Sequence, residues 1–480
     1  MARPRLLSLT LAVCLLAPLA AVSPAPDGAA RAERTTDPAG GAQEADLPPG
    51  IEAVLAAFDR MAGRDLWPGF APGELPLALY DGVSTWLLRH PDPPEGFHAV
   101  PGEERAAVFA GRHPTVRANT STELGGAETA VAILEGRLEE PPARLAGLLL
   151  HEAFHVHQRR RHPGWSANEM ALLTYPTGDS TVLGLRRLET RALRGALRAG
   201  TAEERRARAR SALAVRSERF GLLPPNAVAY ERKTELNEGL ARYVERRAAG
   251  DGDRPVFETV AFPPEEVRRR AYATGQALAL LLDDAHPAWK ERLASDSAAT
   301  LDGLLRGALP GDGRPSQAAR PGAADRRRAL ARAGRDVRRL ERERRERLAD
   351  FLERPGWRVE LVAAAGAPLW PRRFDPLNLL KVDGERVLHT RWLVLGHDAA
   401  RVEVMDHAAL TTAAGEHPLF QGVSRLLVTG LPGPPEIARE GDVVRLEAPA
   451  LEAEVRGASV ERSGRRIVVR LPETPPEEGT

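Results

Sequence analysis

The spacing of apolar residues changes twice along this chain, and those two changes restrict its fold more than any other feature. From Leu77 to Leu134 the apolar residues come in short runs: Leu77–Tyr80, the turn Asp81-Gly82, Ser84–Leu88, then Ala107–Phe109, Thr115–Ala118 and Thr129–Leu134. Such runs, bounded by turn residues, predict strands, the first two forming a hairpin. After Gly136 the spacing becomes helical. Pro141 and Pro142 suit a helix start, and Ala143–Arg160 follows with Leu145, Leu148 and Leu149 on one face. Thr181–Arg198, Ala202–Arg219, Ala227–Ala249 and Pro264–Asp283 continue the helical pattern. From Trp357 short β-type runs return: Arg358–Ala363, Arg391–Leu395, Arg401–Val404, Leu426–Val428, Val443–Glu447 and Ile467–Arg470. Strands and helices therefore occupy separate stretches, which predicts an α+β chain ending in an all-β domain, a sandwich.

Residues 1–23 carry two arginines before an almost wholly apolar run, Leu6–Val22, the pattern of a secretory signal peptide or an uncleaved N-terminal anchor. The expectation is an exported protein, periplasmic or secreted, with no later segment inserted in a membrane. Residues 24–50 are rich in Pro, Ala, Gly and charge without periodicity and read as a disordered tether. A domain over 51–310 follows, opened by an amphipathic helix on Ile51, Val54, Leu55, Phe58 and Met61. Residues 311–355 comprise a Gly/Pro-rich break and a charged helical strut, Asp325–Glu353, with a thin stripe of Leu330, Ala333, Val337, Leu340, Leu348 and Phe351. The β-rich domain spans 356–480.

Charge excludes one class of function. The formal net charge is +1, and Lys233, Lys290 and Lys381 are the only lysines among 67 basic residues. The arginine-rich stretches are interspersed with acids, as on solvated helix faces, so no one-signed surface for nucleic acid is expected. Cys14, the single cysteine, lies in the apolar N-terminal run. A chain cleaved after it has no disulfide and no thiolate, so a metal would have to be held by histidine and carboxylate.

Such residues stand together in His151-Glu152-Ala153-Phe154-His155, inside the predicted helix 143–160. Positions i and i+4 share a helix face about 6 Å apart, so two imidazoles there can hold one zinc ion. Glu152, beside the first histidine, is then placed to act as general base on a water. His157 lies about 200° round the helix from His155 and cannot share that ion. His162, in a loop before Pro163, is a candidate for approaching a substrate.

A catalytic zinc needs a third protein donor. The run Asn237-Glu238-Gly239-Leu240-Ala241-Arg242-Tyr243, on a later predicted helix, resembles the third-ligand helix of the gluzincin metallopeptidases, the thermolysin-like clan. The resemblance covers about residues 125 to 285 and implies a zincin-like domain: an antiparallel or mixed sheet, then a helical half with the His-Glu-x-x-His helix. It implies one zinc ion on His151, His155 and Glu238, with Glu152 as catalytic base. It also implies a peptide or protein substrate, paired along the strand before the metal helix, here Thr129–Leu134. The stretch between His155 and Glu238 is longer than in the compact thermolysin pattern. Glu235, one turn earlier on nearly the same face, is therefore a second candidate and Glu189 a third. For the oxyanion donor that peptide hydrolysis needs, the candidates are Tyr272 and Tyr243. Two other readings fit the same residues: a zincin-fold scaffold that has lost catalysis, and a hydrolase of non-peptide amides.

Overall fold

The Asp81-Gly82 turn folds the chain back as its residues demand. Gly82 has a φ of +107°, and Asp81 accepts hydrogen bonds from the backbone of Val83 and Ser84 and from the Trp86 indole. The computed structural model to which this hairpin belongs describes residues 46–250, 255–309, 321–376 and 378–473. The N-terminal apolar run, most of the tether and the break at 310–320 lie outside the described residues. Helix α1 (Pro49–Ala62) starts two residues inside the expected tether and buries Ile51, Val54, Phe58 and Met61.

The strands that follow are β1 (Leu77–Tyr80), β2 (Ser84–Leu88), β3 (His98–Ala99), β4 (Ala106–Ala110), β5 (Thr120–Leu124) and β6 (Ala127–Ile133). They form one mixed sheet in the order β3-β4-β2-β1-β6-β5, with β1 and β6 parallel. Two expectations fail here. Thr115–Ala118 is not a strand, because the Arg112 guanidinium takes the Val116 and Arg117 carbonyls that a ladder would need. Strand β6, expected to offer a free edge, lies between β1 and β5, so β5 is the outer strand on that side. Gly125 and Gly126, both at positive φ, make the two-residue turn joining β5 to β6.

The helices are α2 (Pro142–Arg161), α3 (Ala171–Thr174), α4 (Ser180–Leu197), α5 (Ala202–Phe220), α6 (Pro225–Thr234), α7 (Leu240–Ala249), α8 (Val267–Ala285), α9 (Trp289–Ser295), α10 (Leu301–Ala308) and α11 (Ala323–Glu353). The expected single helix 227–249 is interrupted by a π turn at Glu235–Gly239, between α6 and α7. After α11 come β7 (Trp357–Val362), β8 (Trp370–Phe374), β9 (Leu379–Lys381), β10 (Arg386–His389), β11 (Leu393–His397), β12 (Ala400–Val404), β13 (Ala409–Ala413), β14 (Val423–Leu431), β15 (Glu436–Glu440), β16 (Val443–Ala448), β17 (Leu451–Arg456), β18 (Ser459–Ser463) and β19 (Arg466–Arg470).

The chain divides into two units, which it enters more than once. One comprises residues up to Asn168, Leu185–Phe262 and Glu266–Arg326; the other comprises Glu169–Gly184, Pro263–Glu265 and Arg327 onward. In the first, α2 is buried over most of its length, with Leu145, Leu149, Ala153 and Phe154 fully inside. Trp67 meets Phe154, Trp165 and Trp289 edge-on, at ring separations of 5.4, 6.1 and 5.4 Å. Each such pair contributes about 0.5–1.5 kcal/mol beyond its buried area. In the second, a seven-stranded sheet (β18-β19-β7-β14-β13-β10-β9) and a six-stranded one (β15-β16-β17-β12-β11-β8) share one apolar core. Val359, Leu361 and Val428 reach it from one sheet, and Leu395, Val402 and Leu446 from the other. The stripe of α11 is buried at Ala329, Ala333, Val337, Leu340 and Phe351, and Phe351 packs on Leu388 and Leu410 of β10 and β13. Among the described residues no helix is long and apolar enough to cross a membrane.

Candidate metal centre

Helix α2 is held in register at both ends. Pro142 lies in its first turn, and Arg159, Arg160 and Arg161 in its last turn complement the helix dipole. Arg159 and Arg160 also pair with Glu128 of β6, and Arg159 bonds Ser121 of β5. His151 and His155 lie on the α2 face turned toward α7, their rings 4.8 Å apart and nearly perpendicular. The helices come close at Gly147, where a Cβ would stand 3.5 Å from the Glu245 side chain.

Between the two rings stands Glu238. Its Oε2 is 3.7 Å from His151 Nε2 and 3.6 Å from His155 Nε2, and all three side chains are buried. One donor atom from each lies within 4.8 Å of the others. Tetrahedral ligands about 2.0–2.1 Å from zinc stand about 3.3 Å apart, so the two contacts of Glu238 with the histidines are a few tenths of an ångström longer than in a closed cage.

The partners of the rings decide which nitrogens are available. His151 Nδ1 is 3.2 Å from Glu245 Oε2, and His155 Nδ1 is 2.8 Å from Gln158 Oε1. The Gln158 amide nitrogen donates to the Leu236 and Asn237 carbonyls, so its oxygen must be the atom that faces His155. With a cation bound, both imidazoles would keep their proton on Nδ1 and offer Nε2, on the Glu238 side, as the donor a metal cage requires. The donor set thus fits a single divalent cation, with nitrogen and oxygen donors suited to zinc.

Charge at the centre is tightly coupled. Burial alone would lower His151, but Glu238, Glu245 and Glu152 outweigh it and raise its pKa to about 9. Burial works the other way on Glu238, yet His155, His151 and Arg268 hold its carboxyl well below the usual range. Arg268, from α8, lies 3.1 Å from Glu238 Oε1. Glu152, 2 % exposed, is pushed up by burial; the two histidines pull it down and the Glu238 and Glu245 charges push it up further. A carboxyl with its affinity for protons raised in this way is suited to take one and return it.

The π turn separates candidates that an unbroken helix would merge. Glu231, Glu235, Glu238 and Glu245 are spaced to form a single stripe on an α-helix. The extra residue of the π turn twists that stripe, so Glu235 meets Arg216 at 2.5 Å while Glu238 meets the histidines. The turn survives because α8 comes against it. A Cβ on Gly275 would stand 2.4 Å from the Glu235 carbonyl oxygen, and one on Gly239 would stand 2.6 Å from Gly275 Cα. Glu189 also lies outside the cage, fully buried among Arg216, Arg219 and Arg270. Those guanidiniums outweigh its burial and keep it ionised. Burial pushes Glu235 up to about 7 against the pull of Arg216.

The tyrosines divide. Tyr243 donates its hydroxyl to Asp283, at 2.8 Å, and packs on Trp289 in the core. Tyr272 lies on α8 one turn from Arg268, whose guanidinium sits 5.3 Å over its ring and bonds Glu238. His157 stacks on Phe154, and burial lowers its pKa to about 4; His162 stacks on Trp165 at 4.0 Å. Three residues go unnoticed in the sequence: Gln158, Glu245 and Arg268. Gln158 follows His155 by three and Glu245 follows Glu238 by seven, spacings that place each on its partner's helix face. Arg268 comes from another helix and has no local signal.

Comparison with models of protein families, with curated proteins and with solved structures finds no match to this chain.

Proposed function

We propose that this chain is an exported, zinc-dependent metallopeptidase with a zincin-like domain of the gluzincin type, holding one zinc ion on His151, His155 and Glu238. The observation that carries the reading is the convergence of three buried donors with both histidines held at Nδ1 by acceptors. When bound, zinc supplies a Lewis acid that acidifies a water and polarises a carbonyl. Glu152 takes the proton from the attacking water and returns it to the leaving amine; its burial beside His151 supports that role. Arg268 steadies Glu238, and Tyr272, on the same face of α8, is the proposed donor to the oxyanion. Peptide is the proposed substrate because β5 is the last strand of its sheet, on the α2 side, where an extended chain can add as a further strand. The basic and apolar segment at residues 1–23 supports export.

Glu152→Gln tests the mechanism. Both histidines and Glu238 remain, so zinc content and melting temperature stay within error of wild type. Cleavage of a mixed peptide library falls by about 10²-fold or more, the scale of a lost general base. A wild type that holds zinc yet cleaves neither peptides nor a panel of other amides is a scaffold. Equal cleavage by both proteins assigns the activity elsewhere.

A further inference from the structure

We infer that Gln158 is a positioning residue that locks the second histidine of the centre to the turn carrying the third donor; this rests on the metal centre proposed above. Gln158 is 2 % exposed, and its amide joins a histidine of its own helix to the π turn. Its Oε1 lies 2.8 Å from His155 Nδ1, while its Nε2 lies 3.0 Å from the Leu236 carbonyl and 2.8 Å from the Asn237 carbonyl. Those two residues immediately precede Glu238 and lie inside the π turn, where the helical ladder is irregular and carbonyls take outside donors.

Only an amide satisfies both ends. A carboxylate at 158 accepts from His155 but turns an oxygen on two carbonyls. An aliphatic side chain removes the acceptor at His155 Nδ1 and one donor from each of the two carbonyls. A flipped amide makes both errors together, setting NH₂ against a ring N–H and oxygen against two carbonyls. Gln158 therefore fixes the His155 tautomer and the height of Glu238 through one rigid group. On the far side of Glu238, Glu245 joins α7 to His151 in the same manner, at 3.2 Å. The third donor is thus tied to the metal helix both before and after its own position.

The test uses the full chain stripped of metal, with zinc affinity read by chelator competition and donor geometry by the visible absorption of the cobalt(II) form. Gln158→Leu and Gln158→Glu are compared with wild type, and far-UV circular dichroism checks that each is folded. Both variants are expected to bind zinc about 10–100-fold more weakly, the range for partners of metal ligands, with altered cobalt bands. Gln158→Glu matters most, because it keeps size, shape and the acceptor for His155, and it stands alone if Gln158→Leu does not fold. Wild-type affinity and spectrum in Gln158→Glu overturn the inference, since Gln158 would then act on the His155 tautomer alone or not at all. A wild type that binds neither zinc nor cobalt instead overturns the metal centre itself.

Discussion

Replacing Gly275 by alanine probes the support of the centre without touching any residue proposed to hold the ion. The added Cβ would stand 2.4 Å from the Glu235 carbonyl oxygen, 2.8 Å from Glu235 Cα and 2.9 Å from Gly239 Cα. All three are backbone atoms, so no side chain can swing aside. Restoring ordinary contact requires α8 and the π turn to part by about 1 Å. Overpacking of this kind costs about 1–3 kcal/mol, and a clash against backbone belongs at the upper end. For a unit of this size that lowers the melting temperature by roughly 2–4 °C per kcal/mol. The same separation lengthens the Arg268–Glu238 contact from 3.1 Å to beyond hydrogen-bonding range. Zinc affinity should therefore fall by about tenfold or more. Thermal unfolding of the metal-free protein and chelator competition read the two effects separately. A Gly275→Ala protein that matches wild type in both would refute the claim that close approach of α8 sets the position of Glu238.

Further outcomes follow from the same contacts. Glu238→Ala should weaken zinc binding more than Glu235→Ala or Glu189→Ala, whereas Glu189→Ala deprives three buried guanidiniums of a carboxylate and should cost about 3–5 kcal/mol in denaturant unfolding. Loss of metal from Glu189→Ala with retention in Glu238→Ala would reverse the ligand assignment. Burial opposes ionisation of Glu231 and Asp302, but Arg219 and Arg270 around the first and Arg216 and Arg232 around the second depress both to about 2. Their contribution is complete above the unfolded values near ~4 and is lost as pH falls toward about 2. Glu231→Gln should flatten acid unfolding over that window, and an unchanged profile would contradict the assignment. Phe351→Ala empties the contact between α11 and β10 and β13, and should cost about 3–5 kcal/mol in unfolding of the β-rich unit. A loss below about 1 kcal/mol would mean that Phe351 is not docked.

Helix α2 is legible in the sequence because its signals are local: prolines at the start, leucines at helical spacing, and two histidines four apart. The grouping of Glu238 with those histidines rests instead on a short run, and its geometry depends on a π turn that nothing local announces. That turn exists because Gly239 and Gly275, more than thirty residues apart, let two backbones meet. Charged or polar strands hide for different reasons. Strand β15 reads Glu-Ile-Ala-Arg-Glu and is exposed throughout, so it shows no alternation of inside and outside. Strand β17 alternates perfectly in burial, yet its Leu, Ala and Glu are helix formers and mask the period. Strand β5 is polar, and its one sequence signal is the Gly125-Gly126 pair that closes its hairpin. Edge position also explains why β6 looks free in the sequence and is not.

The buried ions beneath the π turn bear on how the centre comes into being. Glu189 arrives on α4, Arg216 and Arg219 on α5, Glu231 on α6, Arg270 on α8 and Asp302 on α10, and each is 2 % exposed or less. No two of these helices can pack alone without stranding a charge away from water, because Glu189 shares three guanidiniums and Arg216 shares three acids. A half-docked arrangement therefore costs several kcal/mol for every ion left single, which penalises intermediates far more than the finished set. Folding around the centre should then be all-or-none, with amide protons of α4, α5, α6 and α8 exchanging together rather than helix by helix. A region with no stable partly open form offers few openings to proteases.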